Sequence, residues 1–149
     1  MFRLKKTAAL LVSAVALSAT ALSGEAVSTE LPAAQAAGYP SCDSAKSERN
    51  PVTGQVITYP INMRATNRMD CVAGIGAWGD HVQAIQLAAN NCHAHKPALT
   101  VDKDYGTKTA DAVWSIQDKG NITADGVYGP DTRMVMKFAP ACLYTWREA

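Results

Sequence analysis

From Trp78 onward the chain alternates apolar and polar residues with the period of a helix. In "GDHVQAIQLAANNC", Val82, Ile85, Ala89 and Cys92 recur at i, i+3, i+7 and i+10 and form one stripe. Asp80 stands where a cap or first-turn acid belongs, and Asn90 and Asn91 suggest the end. A second helix is predicted over "TKTADAVWSIQDKG", with Ala112, Val113 and Ile116 inward, Asp111, Ser115 and Asp118 toward water, and Gly120 as the stop. A third is predicted over "PDTRMVMKFA", with Val135, Met136 and Ala139 on its apolar side and Pro140 ending it. Met134 and Met136 read as core filling rather than as metal ligands. Before Trp78 the texture differs. Gly38 to about Gly76 is rich in Pro, Asn, Thr, Ser and Arg and lacks helical periodicity. There "QVITYPINM" fits a short strand, which Pro60 should stop. The segment reads as an irregular lead-in, with partial disorder as the alternative.

A turn is used twice. "DKDYGTKT" and "DGVYGPDT" both read D-x-x-Y-G-x-x-T, and the second begins at 125 where the first begins at 102, an offset of 23. Each precedes a helix. In the second copy Pro130 suits the first helical position, which places Gly129 at the N-cap and Thr132 third, where its hydroxyl can turn back to the cap backbone. Asp125 leads into Gly126, and its carboxylate can accept N–H bonds from the loop. Tyr128 precedes the cap as a staple residue would, but its partner position holds Arg133, so the staple is weak. Asp102, Tyr105, Gly106 and Thr109 map onto these roles in the first copy. The plain reading of Asp102, Asp125, Gly126, Gly129, Pro130 and Thr132 is therefore structural. The copies differ inside the helix: Thr107 and Lys108 replace Pro130 and Asp131. A first-turn lysine opposes the helix dipole at roughly 0.3–1 kcal/mol. The upstream turn is thus expected to place a cation near an anionic ligand, against the plain reading of a solvated lysine.

These residues resemble the peptidoglycan-binding-like domain of bacterial cell-wall proteins. That family is a small three-helix module with V-x-x-L-Q, then V-D-G-x-[FY]-G-x-x-T, A-V-x-x-[FL]-Q and a closing D-G-x-[VY]-G-P-x-T. Here the matching positions are Val82, Ile85, Gln86, Val101, Asp102, Tyr105, Gly106, Thr109, Ala112, Val113, Ile116, Gln117, Asp125, Gly126, Gly129, Pro130 and Thr132, within roughly Trp78 to Phe138. Two positions depart from the pattern: Lys103 stands where the family has Gly, which bears on the first loop's shape, and Ala89 where a larger apolar residue is usual. The resemblance implies a mainly α fold, a three-helix bundle of loop-helix units, and company with cell-wall hydrolases.

The N-terminus changes the compartment. Arg3, Lys5 and Lys6 precede an apolar run, "TAALLVSAVALSATAL", too short and too rich in Ala and Ser to span a bilayer comfortably. Ala34-Gln35-Ala36 offers a cleavage signal, so residues 1–36 read as a signal peptide, with Ala19-Thr20-Ala21 as the competing site and an uncleaved anchor as the alternative. The product is expected to be secreted, extracellular or wall-associated. Cys42, Cys71, Cys92 and Cys142 all follow the cut, and in an exported chain they imply disulfides. Four cysteines allow three pairings. Cys42–Cys71 with Cys92–Cys142 is preferred because each bridge then closes one compositional segment, and each would stabilise by roughly 3–4 kcal/mol in the loop-entropy picture. Of 14 basic and 13 acidic residues, the leader holds three and two, which leaves 11 of each. That neutrality argues against nucleic acid and against anionic membranes.

Chemistry is sparse. Cys92-His93-Ala94-His95, with His81, invites a zinc reading, but an exported cysteine is better explained by a disulfide. "DKDYG" lacks the later ligands of a calcium loop, and no G-x-S-x-G or H-E-x-x-H occurs. No metal, cofactor or catalysis is expected, and the chain should be a monomer. The expected units are a leader 1–36, an irregular stapled segment 37–77, the domain 78–142 and a tail 143–149. Ligand contact is expected at Gln86, Tyr105, Gly106, Lys108, Thr109, Trp114 and Gln117, with the alternative that the glutamines support loops and Trp114 extends the core. Two function classes remain: a non-catalytic module that binds peptidoglycan or muropeptides, or a secreted interaction or inhibitor protein that kept the fold without the glycan.

Overall fold

The computed structural model describes residues 38–145. The expected leader and residues 146–149 lie outside them. The described chain runs β1 (Ser44–Arg49), β2 (Val56–Ile61), α1 (Asp80–Cys92), α2 (Thr107–Lys119) and α3 (Pro130–Val135). Helices dominate, but the segment expected to be irregular forms an antiparallel hairpin in which Ser44 pairs with Ile61 and Arg49 with Val56.

In β2 the side chains of Ile57, Tyr59 and Ile61 alternate onto the inner face and are buried in the core. Pro60 does not stop the strand, because its position removes the need for an N–H. The Thr58 N–H, two residues earlier, points away from β1 and donates to Ala139 O at 2.9 Å. Pro60 has its nitrogen on that same outer side, so pairing with β1 loses nothing.

The stripe on α1 behaves as its period predicts: Val82, Ile85 and Ala89 are buried, and they meet Ala112, Val113 and Ile116 of α2. Full burial of each larger aliphatic side chain stabilises by about 1.5–3 kcal/mol. α2 ends at Gly120, but not because Gly120 turns left-handed; its φ is −81°, and Asn121 takes the positive φ of 54°. Gly120 is small because α3 lies against it. A Cβ there would sit 2.8 Å from Val135 Cβ.

The third helix is shorter than expected. It closes at Val135, with the Met136 N–H on Thr132 O, and the chain then runs extended. Phe138, Ala139 and Ala141 are held by backbone pairing to Leu143, Thr58 and Val56, so residues 136–141 are drawn to the hairpin rather than to a helix. This places Phe138 between Tyr59 and Tyr128, edge-on to each, with ring centroids 6.3 Å apart in both pairs. Tyr128, expected to make a weak staple, is instead fully buried core. Disulfides join Cys42 to Cys71 and Cys92 to Cys142.

Candidate functional site

Each repeated turn is built around a glutamine of the helix before it. Gln117 on α2 donates from Nε2 to Asp125 Oδ1 (2.9 Å), Val127 O (2.9 Å) and Thr132 Oγ1 (2.8 Å). Its Oε1 accepts the N–H groups of Asp125 and Gly126 at 3.1 and 2.8 Å. Gln86 on α1 does the same for the first turn, donating to Asp102 Oδ1 (2.7 Å), Asp104 O (3.0 Å) and Thr109 Oγ1 (3.3 Å) and accepting the Lys103 N–H at 3.1 Å. Asp102 and Asp125 each accept the N–H two residues on, at 3.0 and 2.9 Å. Thr132 does not turn back to the cap; its hydroxyl donates to Val127 O at 3.2 Å, two residues before Gly129.

The two turns share one backbone shape. Gly126 has a φ of 71° and Lys103, at the equivalent position, 67°. The departure from the family pattern therefore leaves the loop's shape intact, at the cost of a left-handed lysine. Lys103 Nζ lies 2.8 Å from Asp80 Oδ1 and joins the loop to the start of α1. The Gln86 amide holds the Asp102 carboxyl below the usual carboxylate range, with the Asp104 N–H adding to it and the Lys108 charge contributing last.

Residues before the repeat tie both turns together. Ala73 exchanges backbone bonds with Tyr128 (2.8 and 2.9 Å), the Tyr105 N–H donates to Ala77 O (2.9 Å), and the Gly76 N–H donates to Tyr105 O (3.1 Å). The Tyr105 hydroxyl donates to Gly126 O at 2.9 Å, one turn fastening the other. Burial pushes both phenols far above their ordinary pKa.

Gln86 and Gln117 are 1% and 2% exposed, and Tyr105 and Thr109 are buried with them. These four lie under the surface, with their polar atoms engaged in the loops. Gly106 and Lys108 lie at the open start of α2. None of the three helices has a side-chain cap, and α2 differs from the others in having no acid in its first turn, where α1 has Asp80 and α3 has Asp131. Gly106 has a φ of −88° and open space where a Cβ would point, so the fold does not demand glycine there. Trp114 is 49% exposed, but it lies about 120° around α2 from Lys108 at 100° per residue, so the helix does not bring them together. Another aromatic does approach this end. Trp78, 71% exposed, forms a backbone bridge with Asp104 beside the α2 start. It escaped the sequence reading because it falls on the boundary between the two textures, where no period assigns it a face. His93 Nε2 accepts the Lys137 N–H at 2.9 Å, and Cys92 is in a disulfide. Among the described residues no three His, Cys, Asp or Glu side chains gather as a metal site would require, and no helix is long and apolar enough to cross a membrane.

The stretch that carries this paired-turn geometry, residues 79–136, matches the family described as "Putative peptidoglycan binding domain". The chain carries a peptidoglycan-binding-like domain. A related stretch of 88 residues is 33% identical to the "Probable N-acetylmuramoyl-L-alanine amidase" of Bacillus licheniformis. It takes in 56% of this chain but spans only 25% of that relative. The glutamine-keyed turns and the helices they launch all belong to the peptidoglycan-binding-like domain. The hairpin and the tie at Ala73–Trp78 precede its matched residues.

Proposed function

We propose that this is a secreted, non-catalytic protein that holds to bacterial cell-wall peptidoglycan. The match of residues 79–136 to the peptidoglycan-binding family carries the reading. The contact surface is the start of α2, where Gly106 allows close approach, Lys108 supplies a cation and the uncapped N–H groups suit a carboxylate of the stem peptide. Trp114 serves a neighbouring part of the polymer. Gln86, Tyr105, Thr109 and Gln117 shape this surface from beneath. Two disulfides among the described residues support export to an oxidising compartment.

Sedimentation of the chain from residue 37 onward with purified, insoluble cell wall tests the reading. The protein is expected in the pellet at low and high salt; recovery in the supernatant at both would overturn it and favour the interaction or inhibitor role. Lys108→Gln is the cleaner probe of the site than a reversal to Asp, because Lys108 lies near Asp102 and an acid there would repel it. Weaker sedimentation with unchanged thermal stability is the expected result.

A further inference from the structure

Basic side chains collect at the opposite end of α2 from Gly106 and Lys108. A cavity of about 390 Å³ opens there, among the ends of α1 and α2 and the chain that follows α3. His93, Lys119, Lys137 and Tyr144 line it, with Ile116 and Met134 among its apolar walls. The volume falls in the range of sites that hold small molecules, about 300–1,000 Å³. Among the described residues no carboxylate lines it. Neither lysine has an ion-pair partner there either; the pairs that form are Lys46–Glu48, Lys103–Asp80 and Arg133–Asp70. The whole chain carries 14 basic and 13 acidic residues, so a lining of one sign is a local arrangement and not a reflection of composition.

His93 fixes what the cavity offers. Its Nε2 accepts the Lys137 N–H at 2.9 Å, and a ring nitrogen that accepts carries no proton. The proton of the neutral imidazole therefore sits on Nδ1, as a donor. Nδ1 makes no hydrogen bond among the described residues, and it is not closed off from solvent as the two His81 nitrogens are. The bond to Lys137 spans 44 residues and keeps the ring from turning over. The disulfide from Cys92 to Cys142 closes the same junction one residue earlier. The Lys137 and Lys119 charges both act on the ring, which places all three groups about one space.

Each nitrogen so placed donates. An ammonium has three N–H bonds and nothing to accept with, and Nδ1–H adds one more. A cation would meet two like charges. A neutral hydroxyl would leave both charges unanswered. An oxyanion accepts from all three groups and pairs the charges, and such charge-assisted bonds are the stronger kind. Lys137 is already positioned, with Nζ 5.4 Å from the centroid of the Tyr144 ring, so less side-chain freedom is lost on binding.

We propose that this cavity binds a small oxyanion, a carboxylate or phosphodiester group, held by the Lys119 and Lys137 ammonium groups and the His93 Nδ1–H. The site stands apart from the wall-binding reading, whose contact surface lies at the other end of the thirteen-residue α2, about 20 Å away.

The test is a titration of the ¹⁵N-labelled protein, at matched ionic strength, with N-acetylalanine, with dimethyl phosphate and with sodium chloride. Before any addition His93 should show a protonated Nδ1 and a bare Nε2. At least one organic anion should shift the His93 ring nitrogens and the amides of residues 92–93, 119–120 and 135–137, and chloride should not. Lys137→Gln should weaken binding about tenfold, the effect of losing one charge-assisted hydrogen bond. Lys119→Gln, at an exposed position, should weaken it about two- to fivefold. A stronger response to N-acetylalanine would assign the site to carboxylates such as peptide termini, and a stronger response to dimethyl phosphate to phosphodiester polymers. The opposite ring tautomer, no shift with either organic anion, equal shifts with chloride, or affinity undiminished in Lys119→Gln/Lys137→Gln would each overturn the proposal. Sedimentation with cell wall is scored apart: a silent cavity in a wall-bound protein sinks only this inference, and a responsive cavity in an unbound protein sinks only the wall reading.

Discussion

Gln117 uses both ends of its amide to hold the second turn, through five hydrogen bonds between 2.8 and 3.1 Å. Gln86 makes four to the first, one of them 3.3 Å long. Truncation would leave buried loop groups unpaired, so Gln117→Ala should cost about 2–4 kcal/mol in urea unfolding and Gln86→Ala about 1–3. The left-handed position gives a second contrast. Lys103→Gly removes backbone strain and loses one exposed ion pair, for an expected gain of about 0.5–1 kcal/mol. Gly126→Ala brings a Cβ to 3.1 Å from Ala110 O at a φ of 71° and should cost about 1–3 kcal/mol by the same assay. The sequence announced Asp125 as a loop acceptor, because an Asx turn is a local matter of two residues. Gln86, by contrast, reaches partners 16 to 23 residues away, which no local rule specifies, so its role stayed open between loop support and ligand contact. Tyr128 was misread for the same reason. A staple is judged from one position in its own helix, while its ring packs on Phe138, ten residues onward.

Among the elements, α1 and α2 were legible because thirteen residues give a 3.6-residue period room to repeat. α3 has six residues, less than two turns, and "MVMKFA" carries apolar residues densely enough to suit helix or extended chain. The competing partner was β2, which captures residues 139–141 through backbone bonds and leaves the helix to end at Val135. The approach of α3 to α2 is set at Gly120. Gly120→Ala should push the two helices apart and cost about 1–3 kcal/mol, read from the thermal midpoint and from shifts at Val135. The expected role of Gly120 as a helix stop had the right residue and a different cause: α2 needs a small residue there for packing, while Asn121 supplies the reversal.

On the scale of the whole molecule, the boundary drawn near residue 78 follows a change of texture but not a division of the core. Ile57, Tyr59 and Ile61 share one buried cluster with Val82, Ile85, Tyr128 and Phe138. Arg133 on α3 pairs with Asp70 at 3.2 Å across that same boundary. A chain beginning at residue 78 should therefore lose cooperative unfolding and most near-ultraviolet circular dichroism, even though it contains every residue of the family match. The sheet carries one more consequence. Its polar strand, "SAKSER", pairs with β2 alone among the described residues and so forms the outside, where Lys46, Glu48 and Arg49 discourage further strands. Its apolar strand, "VITYPI", is flanked by β1 on one side and by residues 139–141 on the other. The bond from Cys92 to Cys142 keeps that second flank in place. Cutting it frees a sticky ribbon as well as loosening the fold, so Cys92→Ser/Cys142→Ser should fail by self-association, seen as light scattering that climbs with protein concentration before secondary structure is lost.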